Sequence, residues 1–300
     1  MSQNNTIVPT SLSLISGLPT GYVVRTFSRF QRLQSDAKEI LQSLKENHDG
    51  NQWLVVLGLS RSTIQKLDDD HGSLGGVEYR FQWEGTSGLI KVLPSYTHDM
   101  TTDMVTRTID DKLSAMGIRT VDRRWAGTST YKPTTTKGKQ GDQAFVPPSR
   151  CPSPQRAVDW PTVVIETGVS ESCPRLREDA RWWLANSSGD VRIVLIISIK
   201  RNKVYFEKWQ LAPPNAPRPL TRRYLDTLRQ KSPQMPPLFQ QPAATQQAYS
   251  AHEVEVTSNG TVGAPMILPF ATLYDRPPGP GESDIVLGSQ DFQDITNILF

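Results

Sequence analysis

The sequence predicts an α/β or α+β fold around a mixed central sheet flanked by helices. Three observations carry this expectation. From Val77 to Leu211 the chain alternates in the order strand–strand–helix–strand–strand–strand–helix–strand–strand. Within it, "VRIVLIISI" at 191–199 is a continuous β-branched apolar run, suited to a strand buried on both faces. Amphipathic segments with apolar residues three and four apart supply the helices that would cover such a sheet.

Taken in order, residues 1–20 are expected to be disordered. Residues 21–76 read as an N-terminal helical segment, because Phe27, Phe30, Leu33, Ala37, Ile40, Leu41 and Leu44 fall on one stripe. A shorter helix is expected after Ser60, ending near Gly72. The core spans 77–211. "VEYRFQWEG" and "GLIKVLP" read as strands, and "THDMTTDMVTRTIDDKLSAMG" as a helix stopped at Gly117. "IRTVDRRW" and "DQAFVPP" are further strands, followed by a strand at 162–167, a helix at about 174–185 and the run at 191–199. "VYFEKWQL" returns as the hairpin partner of that run. Residues 212–250 are Pro/Gln-rich and read as an insertion or linker, with a short helix at Leu220–Arg229. Residues 251–300 read as a C-terminal extension packing on the core.

Composition narrows the function classes. The chain is 37% apolar and 21% charged, as in a soluble globular protein. It has no apolar run long enough for a transmembrane helix and no basic region ahead of an apolar stretch, so no signal peptide is expected. Cys151 and Cys173 make no disulfide framework and fit an intracellular, reducing compartment, cytoplasm or nucleus. Two Cys and four scattered His give no zinc spacing. Charge is uneven. Lys200 to Lys231 holds nine Lys/Arg against two acids, Arg119 to Lys139 holds six against one, and Ala251 to Phe300 holds seven acids against one Arg. Two basic stretches suit a polyanion, although such runs also serve simply as solvated loops.

Three carboxylates stand out by context. Glu84 closes a strand, Asp142 opens one, and Glu166 ends the apolar run "TVVIE". A carboxylate buried in a sheet needs a partner. If the Asp142 and Glu166 strands are neighbours, the two side chains can converge on one side of the sheet and offer oxygen ligands to Mg²⁺ or Mn²⁺. A structural salt bridge, with Arg181 as partner, is the plain alternative for Glu166. His98 reads as a residue that caps or packs at its helix start rather than a ligand, and Asp179 as solvent-facing or paired with Arg175. Trp182 and Trp183 are adjacent and cannot share one helix face; one would pack on the sheet, and the other cover a neighbour or stack on a base.

The succession "WEGTSGLIKVLPSYTHDM", "GDQAFVPP" and "PTVVIETGVSES…LREDARWWL…VRIVLIISI…VYFEKW" resembles the restriction-endonuclease-like group of the PD-(D/E)XK phosphodiesterase superfamily, in a fungal-type branch. The resemblance covers roughly 77–211. It implies a restriction-endonuclease-like mixed sheet and Mg²⁺- or Mn²⁺-dependent hydrolysis of nucleic acid, DNA ahead of RNA. Glu84, Gly88 and His98 match a Glu, Gly and helix-heading His of that group. Asp142 matches a metal ligand whose preceding Pro is Gly141 here. Glu166 matches the strand-ending metal ligand, followed by Ser170, Glu171 and Ser172. The superfamily's Lys two residues later is Gly168, and Arg181 stands where the group's helix-borne Lys would fall. Catalytic roles are thereby implied for Glu84, Asp142, Glu166 and Arg181, with the metal on Asp142 and Glu166, and phosphate contacts for Lys137 and Lys139. Arginine stays protonated and cannot act as a base, though it can stabilise phosphate charge. A metal-dependent nuclease and a catalytically inactive nucleic-acid- or protein-binding module both fit this pattern, and a scaffold using the Pro/Gln-rich loop is a third reading.

Overall fold

The apolar stripe at 27–47 folds as expected, into helix α2 (Phe30–Asn47), after a short helix α1 (Leu12–Ile15) and strand β1 (Val23–Thr26). The computed structural model describes residues 12–47, 51–93, 96–150, 159–169, 173–231 and 241–300. Its backbone divides into two units, Met1–Pro94 with Lys132–Gln140, and Ser95–Tyr131 with Gly141–Phe300. The part of the N-terminus expected to be disordered that falls on 1–11 lies outside the described residues, as do Cys151 and the Ser170–Ser172 turn. Within the described part, Leu14 is fully buried.

In the first unit, α2 presents Leu33, Ala37, Ile40 and Leu44 to a sheet. Its strands are β1, β2 (Trp53–Leu57), β3 (Tyr79–Glu84), β4 (Ser87–Val92), β5 (Thr130–Thr134) and β6 (Lys137–Gln140), in the order β1-β2-β4-β3-β6-β5. Helix α3 (Arg61–Asp69) lies between β2 and β3, and Ser60 caps it by accepting from Thr63 N at 3.1 Å. The segment at 21–76 is therefore helix and strand together. The "VEYRFQWEG" and "GLIKVLP" strands pair with it: Phe81, Trp83, Ile90 and Val92 pack against the α2 stripe. Alternation marks a strand but not its partner, so the single sheet expected from 77 onward resolves into two.

A close approach fixes one glycine here. Trp83 pairs with Gly138, and a Cβ at Gly138 would lie 2.2–2.8 Å from three Trp83 ring atoms. Gly138→Ala is expected to lower stability by about 1–3 kcal/mol through overpacking. Urea denaturation checks this; an unchanged midpoint would contradict the fit described.

The second unit holds α4 (Tyr96–Ala115), β7 (Gln143–Phe145), β8 (Val163–Val169), α5 (Cys173–Asn186), β9 (Ile193–Lys200) and β10 (Lys203–Leu211). After α6 (Arg222–Lys231) come β11 (Ala248–Thr257), β12 (Gly260–Val262), β13 (Met266–Leu268), α7 (Phe270–Tyr274), β14 (Ile285–Leu287) and α8 (Ser289–Thr296). The sheet order is β12-β11-β10-β9-β8-β7, and the mix is as expected: β8 and β9 run parallel through the α5 crossover, while the other neighbours are antiparallel. Ile193 to Ile197 are all at most 4% exposed, so this strand is buried on both faces.

Successive strand residues point to opposite faces, and the packing shows which helix covers which. Val163 and Ile165 meet the α4 residues Val105, Ile109 and Leu113, along with Met266, Leu268, Phe270, Phe292 and Ile295 of the C-terminal segment. Val164 meets Leu176, Ala180 and Trp183 of α5. Among the described residues no helix is long and apolar enough to cross a membrane.

Candidate carboxylate site

Strands β7 and β8 are neighbours, as the carboxylate argument requires. Gln143 pairs with Ile165 and Ala144 with Val164. Continued by one residue, this register sets Asp142 across from Glu166.

The two side chains do not converge. Glu166 follows the alternation of β8 onto the α5 face, where the indole N–H of Trp183 donates to its Oε1 at 2.6 Å. The carboxylate is 1% exposed. Asp142 sits in a bend just before β7 and turns to the α4 side. Its Oδ2 accepts the Thr167 backbone N–H at 2.9 Å and lies 3.3 Å from His98 Nε2. The same His98 nitrogen is 3.0 Å from the Thr167 carbonyl oxygen, which only accepts, so Nε2 is the donor in that contact. His98 Nδ1 is 3.0 Å from Asp99 Oδ1. Thr102 Oγ1 and Thr167 Oγ1, 2.7 Å apart, continue this buried network. His98 thus packs at the start of α4, as expected, and ties Asp142 and Thr167 to that helix.

Gly141 accounts for the proline that the resemblance places there. A Cβ at Gly141 would lie 3.2 Å from both Trp183 Cζ2 and Val164 Cγ1. A side chain there would press on the indole that holds Glu166.

The remaining candidates fall elsewhere. Arg181 has a side chain 48% exposed, bonds Glu178, and stacks its guanidinium over Trp209 at 5.1 Å. It precedes Trp183 by two positions, about 200° around a helix, so it points away from the side of α5 that meets Glu166. The plain Glu166–Arg181 salt bridge is therefore not formed; the indole takes that place. Glu84 belongs to the first unit, where it bonds Ser13 and pairs with Lys137 at 3.6 Å. Lys139 is 5% exposed and donates to Gln82 Oε1 at 3.4 Å, which departs from the exposed phosphate contact expected of it. Gly168, at the superfamily's Lys position, pairs with Ser198 of β9.

Two further expectations are altered. Asp179 pairs with Arg175 at 2.7 Å, but both are 1% exposed and so face the interior. Trp182 and Trp183 are both buried, in a cluster of aromatic rings with Trp160 and Tyr131. Neither ring is open for a base to stack on. Sequence reasoning missed Trp183 as the partner of Glu166. The signal was the 17-residue separation across a strand–helix turn, with Trp183 on the same helical face as Leu176 and Ala180.

Mg²⁺ requires several oxygens arranged about one point. Among the described residues no group of three or more His, Cys, Asp or Glu is disposed to hold a metal ion. Asp142 is bonded toward α4 and Glu166 toward α5.

No protein-family model matches the chain, and no curated protein matches it.

Proposed function

We propose that the chain is a nucleic-acid-binding module on a restriction-endonuclease-like sheet, in which the two carboxylates of the PD-(D/E)XK pattern have become structural. One observation carries this reading: Asp142 and Glu166 lie across from each other in register, yet each is bonded by donors on a different face. The nuclease pattern that the resemblance implies places both carboxylates on one ion. Here Asp142 ties a strand end to α4, and Glu166 satisfies a buried indole. The mixed sheet with α4 and α5 on its two faces supports the fold part of the reading. Arg181, already engaged with Glu178 and Trp209, supports the loss of the cationic part. Binding would rest on arginine and lysine contacts to phosphates, with release of condensed counterions.

The rival reading, an Mg²⁺- or Mn²⁺-dependent phosphodiesterase using Asp142 and Glu166 as metal ligands with Glu84 assisting and Arg181 stabilising phosphate charge, draws on the same register. A cleavage assay separates the two. Wild type, Asp142→Ala and Glu166→Ala are incubated with labelled DNA and RNA in Mg²⁺ and in Mn²⁺. The expected result is no metal-dependent cleavage by any of the three, with salt-sensitive binding retained by wild type. Cleavage by wild type that both substitutions abolish would establish the rival instead.

A further inference from the structure

The two basic stretches of the sequence have different fates in the fold. Between Arg119 and Lys139, five of the six cations have a carboxylate or backbone partner within the protein and Lys139 is buried, while Arg119, Arg124 and Lys132 stay exposed. Arg119 pairs with Asp122 and Arg123 with Asp110; Arg124 donates to the Val121 carbonyl. Lys132 pairs with Asp68, Lys137 with Glu84, and Lys139 is buried. The stretch from Lys200 to Lys231 differs. Its two acids are Glu207, which is buried and bound by Arg177, and Asp226. Its cations are mostly at the surface.

Helix α6 orders part of that stretch. Thr221 caps it, accepting from Tyr224 N through Oγ1 at 3.3 Å and from Leu225 N through its carbonyl at 3.0 Å. Leu225 and Leu228, with Leu220 ahead of them, pack against Ala212, Tyr249 and Ala251. That docking fixes the rotation of the helix. The outward face then carries Arg222, Arg223 and Arg229, all exposed, with Asp226 as its one acid among the described residues. Arg229 is anchored by the Ser250 carbonyl and Glu253, and the preceding exposed Arg218 by the Gln246 carbonyl. Among the described residues, neither Arg222 nor Arg223 is paired with a carboxylate. Their position in the first helical turn opposes the helix dipole, so the fold gains nothing from placing two cations there.

We propose that this arginine face of α6 is the surface that contacts the phosphate backbone of nucleic acid. This rests on the binding reading above and locates it. The face offers guanidinium forks suited to phosphate oxygens. Arg222 and Arg229 are seven residues apart, about 10 Å along the helix, so one backbone can engage more than one of them. Guanidinium contacts to phosphate position a backbone without reading bases, so contact at Arg222 and Arg223 is indifferent to base sequence.

The test measures binding of the full chain to a fluorescent DNA duplex, to single-stranded RNA and to anionic phospholipid vesicles, across 50–300 mM salt. Wild type is compared with Arg222→Gln/Arg223→Gln and with a control, Lys200→Gln/Arg201→Gln, which removes the same charge at the β9–β10 turn. Circular dichroism and melting confirm that all three fold. The α6 variant is expected to bind nucleic acid roughly tenfold more weakly, with the log–log salt slope reduced by about 1–2, whereas the control changes little. Loss on DNA, on RNA or on both supports the proposal and identifies the polyanion. If wild type binds and the α6 variant has the same slope, or the control loses as much, the α6 assignment is overturned and the binding reading stands. If wild type binds only vesicles, or nothing, both fall.

Discussion

Replacing Lys208 by methionine is expected to stabilise the protein by about 2 kcal/mol at pH 7, and the gain is expected to vanish near pH 10. Lys208 lies in β10 and is 1% exposed. Its Nζ donates to the Ile267 carbonyl of β13 at 2.9 Å. Burial pushes its pKa down from 10.5 to about 8, against a smaller opposing pull from Asp284. Between those values the unfolded chain binds the proton and the folded chain does not, so stability rises with pH across that window. Below pH 8 the folded protein carries a charge in a poorly solvated place, at a cost of about 3 kcal/mol. Methionine keeps the apolar stem and removes the charge. It also leaves the Ile267 carbonyl without its donor, a loss of about 1 kcal/mol. For a unit of this size, 2 kcal/mol is a rise of about 4–8 °C in Tm. Melting of wild type and variant at pH 7 and pH 10 reads both halves of the expectation. A variant less stable than wild type at pH 7 would show that the ammonium is well accommodated.

The second large effect concerns Arg175 and Asp179. Removing only the cation, in Arg175→Met, is expected to cost about 3–5 kcal/mol, because it takes the paired charge from a buried carboxylate. Removing both, in Arg175→Met/Asp179→Leu, is expected to be close to neutral. The double-mutant cycle should therefore return a coupling of at least about 2 kcal/mol. Denaturant midpoints of the four proteins provide it. A double variant as damaged as the single would mean that the pair is not replaceable by packing and that this part of α5 depends on charge itself.

Many elements were legible in the sequence, because each had a local signature; "IRTVDRRW", expected as a strand, instead holds a 3-10 turn at Thr120–Asp122, and "KPTTTKGKQ", a polar stretch, enters strands β5 and β6. "VRIVLIISI", rich in β-branched residues, reads as a doubly buried strand and is one. The α2 stripe, the α4 stop at Gly117 and the short helix after Leu220 each carried their own pattern. What was not legible depends on partners distant in sequence. Nothing in "VEYRFQWEG" says that Phe81 and Trp83 will meet Leu33 and Ile40 rather than α4. The candidate site divides the same way. The adjacency of Asp142 and Glu166 followed from strand order. Their rotation did not, because a bend of one residue at Asp142 reverses which face a side chain takes. The indole of Trp183 takes up Glu166, and a motif written only in acids and lysines contains no such partner.

The hairpin of β10 and β11 has an unusual construction. Leu211 and Ala248 are direct partners in the ladder, so two to five residues would suffice to join them. Instead the chain leaves at Ala212 and returns at Gln247, carrying α6 with it. Loop closure grows only with the logarithm of length, so the excursion costs about 2 kcal/mol over a tight turn. A lineage can acquire, lengthen or discard such a segment while the sheet beneath it persists. The register that pairs Leu211 with Ala248 is thus independent of how long the segment carrying α6 happens to be.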